Sequence, residues 1–210
     1  MTPTTGAAGR ARTTPGHEAE PADNGRPLRA DALRNRAKIL EAAEEVLATE
    51  GLAAPIDDIA RRAGVGIGTV YRHFPTKEAL FEAIFVAWVQ RLLDEARARI
   101  DAEDPGRAFF DELDSWFEHS VRHRAVAEGL ADTGIDVRAA TADLKQDLRD
   151  AIEQLLVRAQ AAGAVRDDVQ IGDVMLVTSG ACTALNQSGL EPDERSRTFR
   201  IMCDGLRARR

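Results

Sequence analysis

Apolar residues recur along this chain at the helical period, with no sustained alternation of the kind that predicts strands. From Asp31 they are separated by steps of three and four residues, and Gly51 follows as a stop signal. A first helix is therefore expected over about residues 31–50. Its apolar positions are Leu33, Ala37, Leu40, Ala43 and Leu47.

Two short apolar stripes follow the first helix. Ile56, Ile59, Ala60 and Ala63 share one face of a segment that ends in a glycine-containing turn over residues 64–66. Ile67, Val70 and Phe74 mark the next stripe, and Pro75 disfavours helical geometry at the residue before it. The pattern predicts two consecutive helices of about two turns each.

Longer helices are expected in the rest of the chain. Thr76 can cap a helix that runs to about Ile100, and Asp104-Pro105 is typical of a helix start, here with an expected end near His123. A short helix near residues 125–130 and a break over 129–141 come next. Three further helices are expected from the apolar patterns that start at Leu144, Ile171 and Pro192, the first of which stops at Gly163. The prediction is an all-α fold of about nine helices.

Composition restricts the classes of protein that remain. Residues 1–27 are rich in Thr, Pro, Gly and Ala with Met1 as the one large apolar residue, so a disordered tail is expected over residues 1–28. The longest apolar run, residues 83–89, is too short to span a bilayer, and the N-terminus lacks the apolar stretch of a secretory signal. Two cysteines do not make a secreted disulfide framework, so a reducing cytoplasm is expected.

Charge is distributed unevenly along the chain. Residues 81–210 carry 17 Lys and Arg against 24 Asp and Glu, whereas residues 29–80 carry 8 of each. The net charge of −7 argues against non-specific coating of nucleic acid by the whole molecule. Any contact with DNA must therefore be local, on one face of the neutral N-terminal segment.

The two short helices and the turn between them fit a helix-turn-helix. The segment Asp58–Leu80, with Gly64 and Gly66 in its turn, and the upstream Ile39-Leu40-Glu41-Ala42-Ala43 closely resemble the DNA-binding segment of the TetR family of bacterial transcriptional regulators. The resemblance covers residues 32–91 and implies an N-terminal three-helix DNA-binding domain. It also implies a helical ligand-binding and dimerisation domain over residues 92–210.

If the apolar stripe of the third helix faces inward, its other face is free to meet a DNA groove. Hydroxyl, imidazole and guanidinium groups there can bind phosphates, the guanidinium can also read a guanine edge, and a glycine lets the backbone approach closely. The resemblance implies DNA contacts for Thr69, Tyr71 and His73 of this helix and for Lys77 at the start of the fourth helix. The expected DNA-binding residues are Arg34, Ile67, Gly68, Thr69, Tyr71, Arg72, His73 and Lys77.

Two helix starts near this face depart from the family pattern, and the role of the basic residues near the start of the first helix is undecided. Ala54-Pro55-Ile56-Asp57 stands where the family usually has a Ser or Thr cap, and Gly66 replaces a frequent Ser at the turn. Ile67 is expected to pack against a thymine methyl group. The basic residues near the start of the first helix, Arg34 foremost, form either an arm that touches phosphate or the solvated face of an amphipathic helix.

Most of the aromatic residues lie in two adjacent helices, the fourth and the fifth. They either pack the core or line an apolar ligand cavity, since such cavities have few polar groups. The candidate cavity residues are Phe85, Trp88, Phe110, Trp116, Phe117, His119, Met175 and Cys182. His119 and His123 have the spacing of a metal-ligand pair, but no third ligand is evident, so no metal and no cofactor are expected.

These expectations combine into one prediction of function. The chain is expected to be a cytoplasmic homodimer, at the nucleoid when it is bound, that represses transcription from a palindromic double-stranded operator and is released by a small molecule. It is expected to have no membrane partner. An activator or a repressor without ligand response remains an alternative, and a helical enzyme or ligand carrier is a more distant one because no nucleophile–base pair or carboxylate dyad supports catalysis.

Overall fold

The computed structural model describes residues 25–124, 126, 129 and 141–209, with side chains from residue 30 onward. Eight helices and no strand occur in this part of the chain, so the predicted all-α class is confirmed. Their bounds are α1 Gly25–Glu50, α2 Ile56–Ala63, α3 Ile67–His73, α4 Lys77–Arg99, α5 Pro105–Arg122, α6 Ala142–Ala161, α7 Ile171–Gln187 and α8 Pro192–Leu206. The helix expected near 125–130 and the break over 129–141 lie almost wholly outside the described residues, as do residues 1–24 of the expected tail.

Helix α1 is longer than its sequence pattern predicts. It begins at Gly25, six residues before the expected start, so the last four residues assigned to a disordered tail are helical. Leu33, placed on the buried face from its spacing, is instead 68% exposed, and Ala37 is exposed as well. Burial starts at Ile39 because α2 and α3, of eight and seven residues, are too short to cover the first turns of α1.

Helix ends follow the predicted signals closely. The Thr76 side chain accepts a hydrogen bond from the Ala79 N–H, and the Asp104 carboxylate accepts one from the Arg107 N–H ahead of Pro105. Gly64 ends α2 with φ of 67°, a left-handed conformation that favours glycine. The turn that joins α2 to α3 is therefore set by local sequence.

Two separate apolar cores share the single helix α4. Leu80, Phe81 and Ile84 pack with α1, α2 and α3, whereas Val89, Leu92, Leu93 and Ala96 pack with the helices that follow. The two cores meet between Ile84 and Val89, about one turn before the expected domain boundary at residues 91 and 92. Helix α4 therefore contributes to both cores and connects the two halves of the molecule.

Candidate DNA-binding face and ligand cavity

One side of α3 is buried and the other is open. Val70 and Phe74 are 1% and 4% exposed and fix the helix to the N-terminal core, as the stripe predicts. Ile67 and Tyr71 are 39% and 48% exposed, which is high for large apolar side chains. The sequence assigned Ile67 both to the inward-facing stripe and to a contact with DNA bases. Its exposure places it on the open side of α3.

The remaining predicted residues of α3 are placed along or beside this open side. Gly68 and Arg72 are exposed, whereas Thr69 and His73 are half-buried. The Arg72 side chain folds back on its own helix, with Nε donating to the Gly68 carbonyl at 3.1 Å and Nη2 donating to Thr69 Oγ1 at 3.4 Å. In this arrangement the guanidinium is held against the helix, from which it can swing outward because both contacts are exposed.

The caps of the two short helices carry no side-chain hydrogen bond. Pro55 caps α2 and Gly66 caps α3, both with extended backbone. The departures from the family pattern noted in the sequence therefore leave these two helix starts without a side-chain hydroxyl. Backbone N–H groups at the start of α3 lie beside Ile67 and Gly68, close to the open face.

Lys77 has a contact that the sequence did not reveal. Its Nζ donates to the carbonyl oxygens of Leu52 at 2.5 Å and Ala54 at 3.0 Å, which lie in the loop between α1 and α2. The ammonium thus joins the start of α4 to the loop that precedes α2. An ammonium has three donors, so a phosphate contact by the third is compatible with this geometry.

The basic residues of α1 separate into two kinds. Arg34 is exposed and pairs with Asp31 on its own helix. The Arg36 guanidinium lies 5.3 Å from the centroid of the Phe74 ring, at the end of α3. Arg36 is therefore held at the end of α3, whereas Arg34 is paired along α1.

An apolar cavity of about 420 Å³ lies in the C-terminal half. Its lining residues come from α4, α5, α6 and α7: Phe85, Trp88, Val89, Leu92, Trp116, Lys145, Leu148, Gly172, Met175, Leu176 and Ser179. Four of the eight predicted cavity residues, Phe85, Trp88, Trp116 and Met175, are brought together here. Sequence reasoning missed the contribution of α6, whose apolar pattern marks a buried face without telling what it faces.

The other four predicted cavity residues lie elsewhere. Phe117 stacks on Phe199 with ring centroids 4.4 Å apart, and Phe110 lies under the Arg207 guanidinium at 4.0 Å. Cys182 is buried in the core, and burial raises the pKa of its thiol, which disfavours the reactive thiolate. His119 faces Glu95, with Nε2 and Oε1 3.3 Å apart.

A second and larger hollow of about 950 Å³ opens between α1 and α2 on one side and α4 and α5 on the other. Charged residues dominate its lining, and several of them are paired, including Arg62 with Glu45 and Arg91 with Glu44. An open, ion-paired crevice offers little apolar surface to a small molecule. The smaller apolar cavity is the better candidate for a ligand.

A contiguous set of contacts connects the cavity to α1. The Trp88 indole, which lines the cavity, also stacks on the His123 ring with centroids 5.4 Å apart and planes 7° from parallel. His123 is 1% exposed and lies at the end of α5, where its Nδ1 donates to the His119 carbonyl at 2.9 Å. Its Nε2 lies 3.5 Å from Glu44 Oε2 on α1.

Two buried polar atoms in the contacts between Trp88, His123 and Glu44 lack a hydrogen bond among the described residues. Trp88 Nε1 and His123 Nε2 are both buried and have no hydrogen-bond partner among the described residues. Burial raises the pKa of Glu44, but the neighbouring His123 and Arg91 outweigh this effect, so the pKa is lowered overall. A buried polar atom without a hydrogen bond costs free energy.

A second polar cluster is buried between α4 and α5. Arg99 Nη1 lies 2.7 Å from Glu112 Oε2 and 3.3 Å from Glu95 Oε2, and Arg99 Nη2 donates to Ser115 Oγ at 3.0 Å. Glu112 is fully buried, and burial raises the pKa of its carboxyl to about 8 despite the nearby Arg99. Burial therefore favours the protonated form of Glu112.

The part of the chain that the structure describes holds neither a metal-binding cluster nor a membrane-spanning helix. Across residues 25–124 and 141–209, no group of three or more His, Cys, Asp or Glu side chains is arranged to hold a metal ion. None of the described helices has the length and apolarity required to cross a bilayer.

Comparisons with known proteins agree with the fold. Residues 39–84 match the sequence model of the tetR family of bacterial regulatory proteins, and residues 104–208 match that of the SbtR-like transcriptional regulator C-terminal domain. The chain is 36% identical over 91 residues to the uncharacterized HTH-type transcriptional regulator YvdT of Bacillus subtilis. That match spans 42% of this chain and 47% of the relative, so the chain covers about half of that protein's length.

Two solved structures are similar over most of their length. One is a TetR transcription regulatory protein from Mycobacterium vanbaalenii, 39% identical, with a TM-score of 0.70 over 87% of this chain and 100% of that one. The other is the TetR regulator SCO0520 from Streptomyces coelicolor, 32% identical, with a TM-score of 0.66 over 83% of this chain and 99% of that one. Together with the helix-turn-helix, these matches show that the chain belongs to the TetR family of transcriptional regulators, which are DNA-binding proteins and not enzymes.

Proposed function

We propose that this regulator is a ligand-responsive repressor that binds a palindromic operator as a homodimer and is released when a small molecule enters the apolar cavity. The observation that carries the proposal is the position of α4. It begins four residues after α3 ends, contributes to both cores and forms one wall of the cavity. A shift of α4 caused by a ligand must therefore move the DNA-binding face.

The DNA contact is assigned to the open side of α3 and its flanks. Tyr71, Arg72 and Thr69 supply donors for phosphates or base edges, and Gly68 permits close approach of the backbone. Ile67 offers an exposed apolar surface that suits a thymine methyl group. Arg36, supported by Phe74, and Lys77 at the start of α4 extend the positive surface on both sides.

Dimerisation is assigned to the outer faces of α7 and α8. Val177 is 42% exposed and Ile201 is 64% exposed, and the exposed Gly180 and Ala184 lie on the same face of α7 as Val177. Exposed apolar and small side chains on paired helices suit a self-complementary surface. A two-fold dimer places two α3 helices on half-sites about 34–36 Å or a multiple apart.

Ligand response is assigned to the contacts that run from Trp88 through His123 to Glu44. A molecule pressed against Trp88 changes the stacking of His123, and with it the contact that His123 makes with Glu44 on α1. The response requires a ligand that binds one arrangement more tightly, because equal affinity for both arrangements shifts nothing.

Selection of DNA from random sequence with the full chain tests this proposal. The selected sites are expected to be two-fold symmetric, to bind one or two dimers, and to lose affinity steeply as salt rises. A reporter gene behind the selected site then separates repression from activation. Selected sites without symmetry, or binding by a monomer, would contradict the proposed mode.

A further inference from the structure

The apolar cavity is exposed along the wall that α7 contributes. Gly172, Leu176 and Ser179 all line the cavity, and all three are exposed. Leu176 is 73% exposed, the largest exposed fraction of any large apolar side chain in the part of the chain that the structure describes. Val89 on α4 and Leu148 on α6 line other walls and are each 4% exposed. The cavity is therefore well covered on α4 and α6 and poorly covered on α7.

An apolar molecule held by this cavity alone would keep part of its surface in water on the α7 side. Binding sites for small molecules bury roughly 70–90% of the ligand's surface. The Ser179 hydroxyl offers no polar contact in exchange, because it donates to the Met175 carbonyl at 2.6 Å. Tight binding of an apolar ligand therefore requires a cover over Leu176.

The surface next to this exposed wall is the face of α7 that we assign to dimerisation. Leu176 and Gly180 are four residues apart and are neighbours on the helix surface, and the exposed Val177 and Ala184 continue the same strip. A Cβ at Gly180 would meet nothing within 4 Å, so packing within one protomer does not require a glycine there. The absence of a side chain leaves room for a second helix to approach. A second copy of this chain packed on α7 would thus reach Leu176 and the edge of the cavity.

We propose that the partner subunit completes the effector cavity, so that a bound molecule contacts both protomers of the dimer. The inference rests on the proposed function, which assigns the effector to this cavity and the dimer interface to α7 and α8. A ligand in this position acts directly on the relative orientation of the protomers, which sets the distance between the two α3 helices. Because the complete site exists only in the dimer, the ligand also stabilises the dimer.

Binding of the uncharged fluorescent dye prodan to the full-length chain tests the proposal. Ile201 is 64% exposed on the proposed dimer face and lies outside the cavity lining. Ile201→Arg introduces like charges on the two sides of a two-fold interface and is expected to give a monomer. Val157→Arg makes the same change at another exposed apolar side chain, on α6, and is expected to leave the dimer intact. Sedimentation velocity gives the oligomeric state of each variant, and thermal unfolding checks that each is folded.

The monomer is expected to bind prodan at least about tenfold more weakly than the unmodified dimer, the scale expected when about 60 Å² of apolar surface loses its cover. Val157→Arg is expected to bind prodan as the unmodified chain does. Gly172→Phe places a ring in the cavity, where a Cβ meets nothing within 4 Å, and is expected to abolish binding while the chain stays dimeric. This variant shows whether the dye reports from the cavity.

Dilution of the unmodified chain gives a second measurement that needs no substitution. The affinity for prodan per protomer is expected to fall as the dimer dissociates. With two sites per dimer, saturating prodan is expected to lower the dimer dissociation constant by up to about a hundredfold.

Each outcome supports or overturns the shared site. Weaker binding by the monomer, together with loss of binding in Gly172→Phe, supports it. Equal binding by monomer and dimer overturns it and leaves the cavity as an effector site within one protomer. A dimer that persists in both Ile201→Arg and Val177→Arg overturns the shared site and the proposed interface together. Failure of the unmodified dimer to bind prodan, or binding that survives in Gly172→Phe, overturns the shared site and removes the cavity's support for the proposed ligand response.

Discussion

The two halves of this regulator present different surfaces to their ligands. The DNA-binding half turns a short helix outward, with Tyr71 and Ile67 on an open face above a small core. The C-terminal half turns its aromatic residues inward, around a cavity and a larger core. Under the proposed function, DNA is recognised by exposed side chains of one short segment, and the small molecule is bound by side chains from four helices.

The largest expected difference between the two halves is in the free energy of unfolding that is lost when an aromatic ring is removed. Phe109 is fully buried in the C-terminal core, and Phe109→Ala should lower the free energy of unfolding by about 3–5 kcal/mol. Tyr71→Ala, on the open face of α3, should change it by less than about 0.5 kcal/mol. Urea unfolding of both variants measures the contrast, and equal losses would contradict it.

The next effect concerns Glu112, whose carboxyl is buried in the C-terminal half. Its pKa is raised from 4.5 to about 8, so between these values the folded state keeps a proton that the unfolded state has released. Stability from this proton is therefore complete below about pH 4.5 and is lost as the pH rises toward 8. Glu112→Gln, which cannot ionise, should gain stability relative to the unmodified chain by a few kcal/mol between pH 5 and pH 8.

Thermal unfolding of both proteins across this pH range provides the measurement. Asp111→Asn, one residue away with an exposed side chain, is the matched control and should show no such trend. A difference between Glu112→Gln and the unmodified chain that does not change with pH would show that Glu112 ionises normally in the folded state.

Lys77 provides a test of how the DNA-binding half is held together. Lys77→Met removes the bonds to the Leu52 and Ala54 carbonyls and should lower the free energy of unfolding by about 1–2 kcal/mol, since these half-buried contacts are partly screened. DNA affinity should fall with it because α2 and α3 lose their positioning.

The salt dependence of DNA binding distinguishes this role from a phosphate contact. An unchanged slope of log affinity against log salt in Lys77→Met indicates positioning. A slope smaller by about one, with unchanged stability, would indicate that Lys77 acts on a phosphate instead.

The smallest expected effect is at Ile67. Ile67→Ala removes an exposed side chain and should leave stability nearly unchanged, while it relaxes the preference for thymine at one position of each half-site. Selection of DNA with both proteins in parallel measures the preference. Identical base preferences at every position would rule out the methyl contact.

How much the sequence predicts differs between the halves for a physical reason. The turn at Gly64, the stop at Pro75 and the stripe of Val70 and Phe74 are local signals, so the helix-turn-helix and its open face were predictable. The cavity joins Trp88 to Lys145 and Met175, far apart in the chain, and their meeting depends on helix packing. Periodicity marked these faces as buried without telling which pack together, which explains why Phe110 and Phe117 were grouped with the cavity and lie elsewhere.

Two features of the structure could not be predicted from local sequence. The spacing of Leu33 matches that of a buried position, but nothing in the sequence tells that α2 and α3 end too soon to cover it. The bonds of Lys77 to the Leu52 and Ala54 carbonyls likewise link segments whose approach is decided by tertiary packing. Both are consequences of how long neighbouring helices are and where they cross.

The most direct test of the central claim is the affinity of the full chain for its selected operator, measured by fluorescence anisotropy with Arg72→Ala beside the matched charge change Arg149→Ala. The account predicts that Arg72→Ala weakens operator binding by about tenfold to a hundredfold, while Arg149→Ala leaves it within about twofold and both variants unfold at the temperature of the unmodified chain. Equal operator affinity in Arg72→Ala and the unmodified chain would contradict the assignment of DNA recognition to the open face of α3.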